Sequence, residues 1–392
     1  MHLAAALAGT VLILLTLPGT IELALLTVSG ALPPRGRPSF ASGERQRVRK
    51  LAAVIPAHNE AANIAMTIQS LAGCAVPASL AGFAIVVIAD NCTDATETVA
   101  SQAGARVIER RDDSHRGKGY ALQFAFEKLT AERFDAFIVI DADTQAESNL
   151  LTEMVEALDN GADGVQARYG VLNAETSIRT RLMNIALMAF NVLRPRGREW
   201  LGLSAGILGN GFALTPETLA AVPYDAHSVV EDLEYSLRIV RAGRRIAFAD
   251  GTIVRGLMPV GVQGAATQRA RWEGGRFHII ARNLPILAAG VLRGETRLIE
   301  PMLDLMLLPL AYHTLLLIVT LAVPFEPARL YAIFGLALAG CHVAAGIIVG
   351  GGSWRDATAL AAAPAYALWK LCMLPKILKT ASADAPWMRT ER

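Results

Sequence analysis

With 392 residues, the chain is long enough for one large or two ordinary domains around a full apolar core. A hydrophobic fraction of 53% is too high for a typical soluble enzyme and 18% charged residues is too many for a bundle wholly in lipid, so a mixed soluble and membrane protein is expected. A net charge of +2 excludes a nucleic-acid binder with a broad basic footprint. The cysteines, Cys74, Cys92, Cys341 and Cys372, form no CxxC pair, which leaves neither zinc nor a disulfide framework indicated and a reducing cytoplasm as the default.

Residues 3–28 are apolar apart from Glu22 and can cross about 30 Å of hydrocarbon as a helix. The alternative is a cleaved signal peptide, but the run lacks a basic leading region. Arg35, Arg37, Arg45, Arg47, Arg49 and Lys50 follow, against only Glu44, and the positive-inside rule places this stretch in the cytoplasm.

Four short apolar runs rich in Val and Ile come next, at 51–56, 83–90, 105–110 and 136–141, and read as strands buried on both faces. Helical patterns separate them. One runs from a cap at Asn59 to Gly73, one from Thr93 to Gly104, and one over 117–129. The alternation predicts an open parallel sheet with covering helices, in which ligands sit at the carboxyl ends of the strands. His58, Asn59, Glu60, Asp90, Asn91, Asp141 and Asp143 all fall there. No strand is followed by GxGxxG and no GxxxxGK[ST] occurs, so the usual dinucleotide and phosphate cradles are missing.

Asp141 and Asp143 are spaced i, i+2, and in extended chain they project to one side, where two hard oxygen ligands could hold a magnesium or manganese ion completed by water and diphosphate oxygens. The plainer alternative is a helix cap and a solvated acid. Arg110, Arg111 and Arg116 read as a solvated basic loop close to Lys118, and His115 and His227 as surface or loop residues. "SAGILGNGFAL", residues 204–214, packs glycines around a bend, read as backbone close to an acceptor or as a simple tight turn. Glu231 and Asp232 open a helical pattern, where the positive dipole end would keep an aspartate ionised.

Further apolar runs at 301–325 and 331–349 are joined by "EPAR" and predict a helical hairpin. Residues 365–379 mix apolar side chains with Lys370, Lys376 and Lys379 and read as an amphipathic interface helix rather than a full span.

The ordered set "IPAHNE" (55–60), "IADNCTDAT" (88–96), "RGKGYAL" (116–122), "DAD" (141–143), "VED" (230–232) and "QRARW" (268–272) resembles the family 2 inverting glycosyltransferases. Within them it is similar to the membrane-bound branch of cellulose, chitin and hyaluronan synthases. The resemblance covers about residues 51–280 and implies a GT-A fold: an α/β, open, mostly parallel sheet with covering helices, plus transmembrane helices at both ends. It also implies a UDP-sugar donor and Mg2+ or Mn2+. Glu60 and Asp90 would help hold the uridine, Lys118 would face the diphosphate, and Asp141 with Asp143 would manage ribose, metal and phosphate. Asp232 would be the general base, while Glu231, Gln268, Arg271 and Trp272 would close over donor and acceptor. Trp272 and Arg271 also suit an interface helix on the membrane.

The expected layout is an N-terminal transmembrane helix (1–30), a cytoplasmic GT-A domain (48–265), interface helices with QxxRW (266–300), a transmembrane hairpin (301–350), an interface or third C-terminal membrane helix (356–380) and a cytoplasmic tail (381–392). The expected function is inverting transfer at the inner membrane of glucose or N-acetylglucosamine to a growing polysaccharide or a polyprenyl-linked saccharide in exopolysaccharide synthesis. Its partners are membrane lipids and polysaccharide export proteins, with no nucleic acid. Two alternatives are a polyprenyl-phosphate sugar transferase and a non-catalytic scaffold of a secretion assembly.

Overall fold

The structure, a computed structural model, describes residues 2–35 and 47–379. A long helix, α1 (His2–Ala31), is followed by β1 (Lys50–Ala57), α2 (Ile64–Ala72), β2 (Gly82–Asp90), α3 (Thr96–Gln102), β3 (Arg106–Arg110), α4 (Lys118–Ala131), β4 (Ala136–Val139), β5 (Thr144–Ala146), α5 (Leu150–Asp159) and β6 (Gly164–Val171). Next come α6 (Ile178–Leu187), a π-helical segment Met188–Leu193, α7 (Arg194–Trp200), β7 (Phe212–Leu214), α8 (Pro216–Ala221), α9 (Glu231–Arg241) and β8 (Ile246–Gly256). The helices α10 (Val262–Leu292), α11 (Ile299–Met306), α12 (Leu310–Ala322), α13 (Glu326–Val349), α14 (Trp354–Ala359) and α15 (Ala363–Lys379) complete it. These fall into two compact units: a sheet unit of residues 47–176 and 204–268, and a helical unit of residues 2–34, 177–203 and 269–379.

In the sheet unit, the strands of the described residues form an 8-stranded sheet in the order β3-β2-β1-β4-β7-β6-β8-β5. The βα alternation gives the parallel half: β1 pairs with β2 and β4, and β2 with β3. Successive residues of β1 serve opposite faces. Leu51, Ala53 and Ile55 join one core with α2 and α5, and Ala52 and Val54 join the other with α4 and α9. This accounts for the unbroken apolar run. In the other half β6 runs parallel to β8, while β7 runs antiparallel to both β4 and β6, and β5 antiparallel to β8, so the sheet is mostly parallel, as expected, but mixed. Each of those reversals rests on a strand of 3 residues, too short to leave a periodic signature.

The helical unit contains, by length and composition, helices able to cross a membrane: among the described residues 3 qualify, His2–Ala31, Glu326–Val349 and Trp354–Pro375. The apolar run at 301–325 is not one straight arm of a hairpin, because α11 and α12 meet at a 75° bend across Leu307–Pro309, where Pro309 cannot donate to a continuing helix. Small residues let the helices approach closely. A Cβ on Gly346 would lie 2.9 Å from the Ala189 backbone. Polar side chains of α1 are matched across the unit: Thr20 bonds Tyr331 at 2.7 Å, and Thr27 bonds His342 at 2.8 Å. Glu22 is fully buried, within 3.6 Å of Arg194 and 3.7 Å of Arg198. Arg37, Arg45 and the tail 381–392 lie outside the described residues.

Candidate active site

Parallel register brings the carboxyl ends of β1, β2 and β4 side by side, since Ala57 pairs with Ala89 and Val54 with Val139. The candidates at the ends of these strands, Asn59, Glu60, Asp90, Asn91, Asp141 and Asp143, are therefore presented along one edge. Asn59 is not a helix cap: α2 starts at Ile64, and Asn59 stands in the left-handed region at φ 55°, which Asn tolerates. Its Oδ1 accepts from Thr93 N at 2.7 Å, tying the loop after β1 to the loop after β2, so that α3 begins at Thr96 rather than Thr93. Glu60 follows, partly exposed, with Asn63 donating to its carboxylate at 3.2 Å.

Asp90 is buried and receives Arg110 Nη1 at 2.6 Å and Asn91 Nδ2 at 3.1 Å, while His58 Nδ1 donates to its carbonyl at 2.7 Å. Burial raises the Asp90 carboxyl and the Arg110 guanidinium opposes that rise. Arg110 is thus no solvated loop cation: it ends β3 directly beside Asp90 and is buried with it. Arg111 and Arg116 are exposed and pair with Glu109 and Asp113, as a basic loop would. His115 and His227 are exposed and flank Tyr120, with His227 stacked on it at 3.9 Å.

Asp141 and Asp143 do not sit in extended chain. β4 ends at Val139 and residues 142–143 turn, so the two acids face different surroundings. Asp143 is buried beside the Thr144 hydroxyl at 3.4 Å, whereas Asp141 is partly exposed and accepts from Lys118 Nζ at 2.5 Å. Lys118, at the start of α4, also donates to the Gly209 carbonyl and lies 3.9 Å from Glu231. Burial alone would lower the lysine, but the carboxylates of Asp141 and Glu231 outweigh it and hold the ammonium above its ordinary value. Next to it, Gly119 has no room for a side chain, because a Cβ would lie 2.2 Å from the Ala226 carbonyl.

The antiparallel pairing of β7 with β4 lays the glycine bend against this turn. Asn210 Oδ1 accepts from Asp141 N at 3.1 Å and its Nδ2 donates to Thr144 Oγ1 at 2.8 Å, while Gln166 holds the bend through Leu208 N and the Asn210 carbonyl. Sequence reasoning missed Asn210 and Gln166. The "GNG" spelling marked the place, but the partners come from strands far away in sequence. The same bend meets α9: Ile207 N donates to Ser236 Oγ at 2.7 Å, and Gly209 sits against the Asp232 carboxylate.

Glu231 and Asp232 open α9 as expected, yet the helix end does not keep them low. Burial pushes the Glu231 carboxyl up to about 7, with Lys118 opposing and Asp232 adding to the rise. Burial likewise raises Asp232, against the hydrogen bond it takes from Leu233 N at 2.8 Å. A dipole of about half a charge is outweighed by removal from water. The Glu231 carboxyl, beside a lysine, can therefore accept a proton near neutral pH. Gln268 is buried at the end of the sheet unit's part of α10, and Arg271 and Trp272 are half-buried in the helical unit's part.

By donor chemistry Asp141, partly exposed, and Asp143, buried in the turn, offer carboxylate oxygens of the kind a hard divalent cation takes, with positions left for other oxygens. They would hold it next to Lys118.

A family profile described as "Glycosyltransferase like family 2" matches residues 49–275, more than half of the chain. Among curated proteins, the chain is 27% identical over 245 residues to the "Probable glycosyltransferase YdaM" of Bacillus subtilis, covering 60% of this chain and 57% of that protein. It is 26% identical over 243 residues to the "Probable glucomannan 4-beta-mannosyltransferase 1" of Arabidopsis thaliana (58% and 43%) and 26% over 183 residues to the "Dolichol-phosphate mannosyltransferase" of Pyrococcus furiosus (44% and 48%). The chain thus spans about half the length of the curated relatives it matches. Among solved structures, the mannosyltransferase PcManGT of Pyrobaculum calidifontis, in complex with GDP-Man and Mn2+, aligns with a TM-score of 0.53 and 17% identity over 96% of each chain, a likeness of fold. With its open mixed sheet and the profile running through all the acidic motifs of that sheet unit, the chain belongs to the glycosyltransferase like family 2.

Proposed function

We propose that the chain is a membrane-associated inverting glycosyltransferase that takes a sugar from a nucleoside-diphosphate donor. The observation that carries this reading is the convergence of Asp141, Lys118, Glu231 and Asp232 on the glycine bend at the carboxyl edge of the sheet, inside the stretch matched by the family. Inversion requires a carboxylate that removes the acceptor hydroxyl's proton during in-line attack, and Asp232, raised by burial, is a stronger base than a solvated aspartate. Lys118, held cationic, offsets charge on the leaving diphosphate. A cation at Asp141 and Asp143, when bound, supplies further neutralisation there. Glu60 and Asp90 serve the nucleoside, and Gln268, Arg271 and Trp272 serve donor and acceptor sugar.

The reading extends to a multi-pass protein of the inner membrane with the sheet unit in the cytoplasm, acting in exopolysaccharide or lipid-linked saccharide synthesis, as in the cellulose and chitin synthase branch. UDP-glucose and UDP-N-acetylglucosamine remain donors of choice. The mannosyltransferase names among the relatives and the GDP-Man complex add GDP-mannose. The dolichol-phosphate relative favours a second reading, with a polyprenyl phosphate as acceptor. That acceptor needs no deprotonation, so Asp232→Asn would be tolerated.

The test is nucleoside-diphosphate release by the purified full chain in nanodiscs, with each donor and Mg2+ or Mn2+, with and without saccharide and polyprenyl-phosphate acceptors. Metal-dependent release from one donor is expected, abolished by chelation. No release and no calorimetric uptake of any nucleotide sugar would leave the scaffold reading standing instead.

A further inference from the structure

Helix α10 carries two stripes of side chains. At about 100° per residue, Arg269, Glu273 and Arg276 share one face, spaced i, i+4, i+7, while Gln268, Arg271 and Trp272 fall on its flank. The first stripe is tied to other helices of the helical unit. Glu273, 5% exposed, receives Lys370 Nζ of α15 at 2.5 Å and the Tyr312 hydroxyl of α12 at 3.1 Å. Lys370, 4% exposed, also lies 4.7 Å from the Tyr312 ring centre. Arg269 donates to the Tyr366 hydroxyl at 2.6 Å, and Arg276 reaches the Asp304 carboxylate at 3.2 Å. Lys370 is therefore not the water-facing lysine of an amphipathic surface helix.

A buried ion pair contributes little net stability, because desolvation offsets its attraction, and neutral isosteres often replace it without loss. What it does impose is geometry: apolar contacts tolerate a helix that rolls, while a roll that parts two buried charges strands both. We propose that the Glu273–Lys370 pair is a rotational lock on α10 that fixes the direction in which Arg271 and Trp272 point, making Glu273 and Lys370 positioning residues for sugar transfer. The consequence for turnover rests on the glycosyltransferase reading above; the lock itself does not.

The test uses the full chain in nanodiscs and two readouts: the maleimide labelling rate of a Trp272→Cys probe, and kcat with donor Kd in chains that keep Trp272. In the double variant Glu273→Gln/Lys370→Met both charges of the pair go together, and Arg269, 3.8 Å from Glu273, keeps its bond to the Tyr366 hydroxyl, so the variant is expected to accumulate and unfold like the parent. A lock predicts that its probe labels several-fold faster and that kcat falls about 10- to 100-fold, a larger change than any weakening of donor Kd, while Lys370→Arg keeps both near parental values. Parental labelling in the double variant overturns the lock, whatever the activity. A labelling shift in a protein that turns over no nucleotide sugar upholds the lock and sinks the functional reading instead.

Discussion

Gly209 and Asp232 are packed so closely that a methyl group on the glycine would lie 2.9 Å from Asp232 Oδ2. Gly209 also stands at φ +80°, where an L side chain costs about 1–2 kcal/mol. Gly209→Ala must therefore push the carboxylate aside or shift the bend whose carbonyl receives Lys118. The expected outcome is a folded protein with slightly lowered thermal stability and a kcat reduced by about 10-fold or more, read from steady-state kinetics.

Asp232→Asn keeps the size of the side chain and removes its basicity. For a hydroxyl acceptor, kcat falls about 10²- to 10⁴-fold while donor affinity, measured by calorimetry, stays within error. Turnover unchanged in this variant would count against the hydroxyl-acceptor reading and for a phosphate acceptor.

Glu231 has a definite pH signature. Its folded carboxyl sits at about 7 against an ordinary 4.5, so the folded state binds this proton more tightly than the unfolded chain does. Its contribution to stability declines as pH rises from about 4.5 to about 7, and the cost is complete above that. Glu231→Gln is expected to raise the melting temperature at pH 8 and to make no difference below pH 4.5, as thermal scans at both pH values will show. Because Asp232 adds to the rise at Glu231, the two titrate as a pair, and the acid limb of the pH–rate profile should move to lower pH in Glu231→Gln.

Arg110 and Asp90 form a buried pair at 2.6 Å that joins the ends of β3 and β2. Arg110→Gln leaves the carboxylate without its cation and costs about 3–5 kcal/mol, visible as a lowered denaturation midpoint. The double variant Arg110→Gln/Asp90→Asn recovers much of that stability but not nucleotide affinity, if Asp90 touches the nucleoside as proposed.

The resemblance rests on short motifs whose chemistry is local, and of its residues Lys118, Asp141, Glu231 and Asp232 meet around the glycine bend. The arrangement among them differs in instructive ways. Asp141 and Asp143 were legible as a pair, but the turn that separates their surroundings depends on Asn210, which belongs to a bend paired through β7. Three arginines crowd the segment around Arg110 and suggest a solvated loop, and only pairing of β3 with β2 reveals the buried one. Lys370 looked like an interface lysine because its acid partner lies on another helix.

Local physics determined a good deal by itself. Hydrocarbon length marked α1 and α13, and unbroken runs of Val and Ile marked strands covered on both faces, since hydropathy and period need no distant partner. Strand reversal, the rise of the Glu231 and Asp232 carboxyls, and the burial of Arg110 and Lys370 were decided only by the tertiary structure. Each depends on which groups are removed from water together, and that is set by segments far apart along the chain.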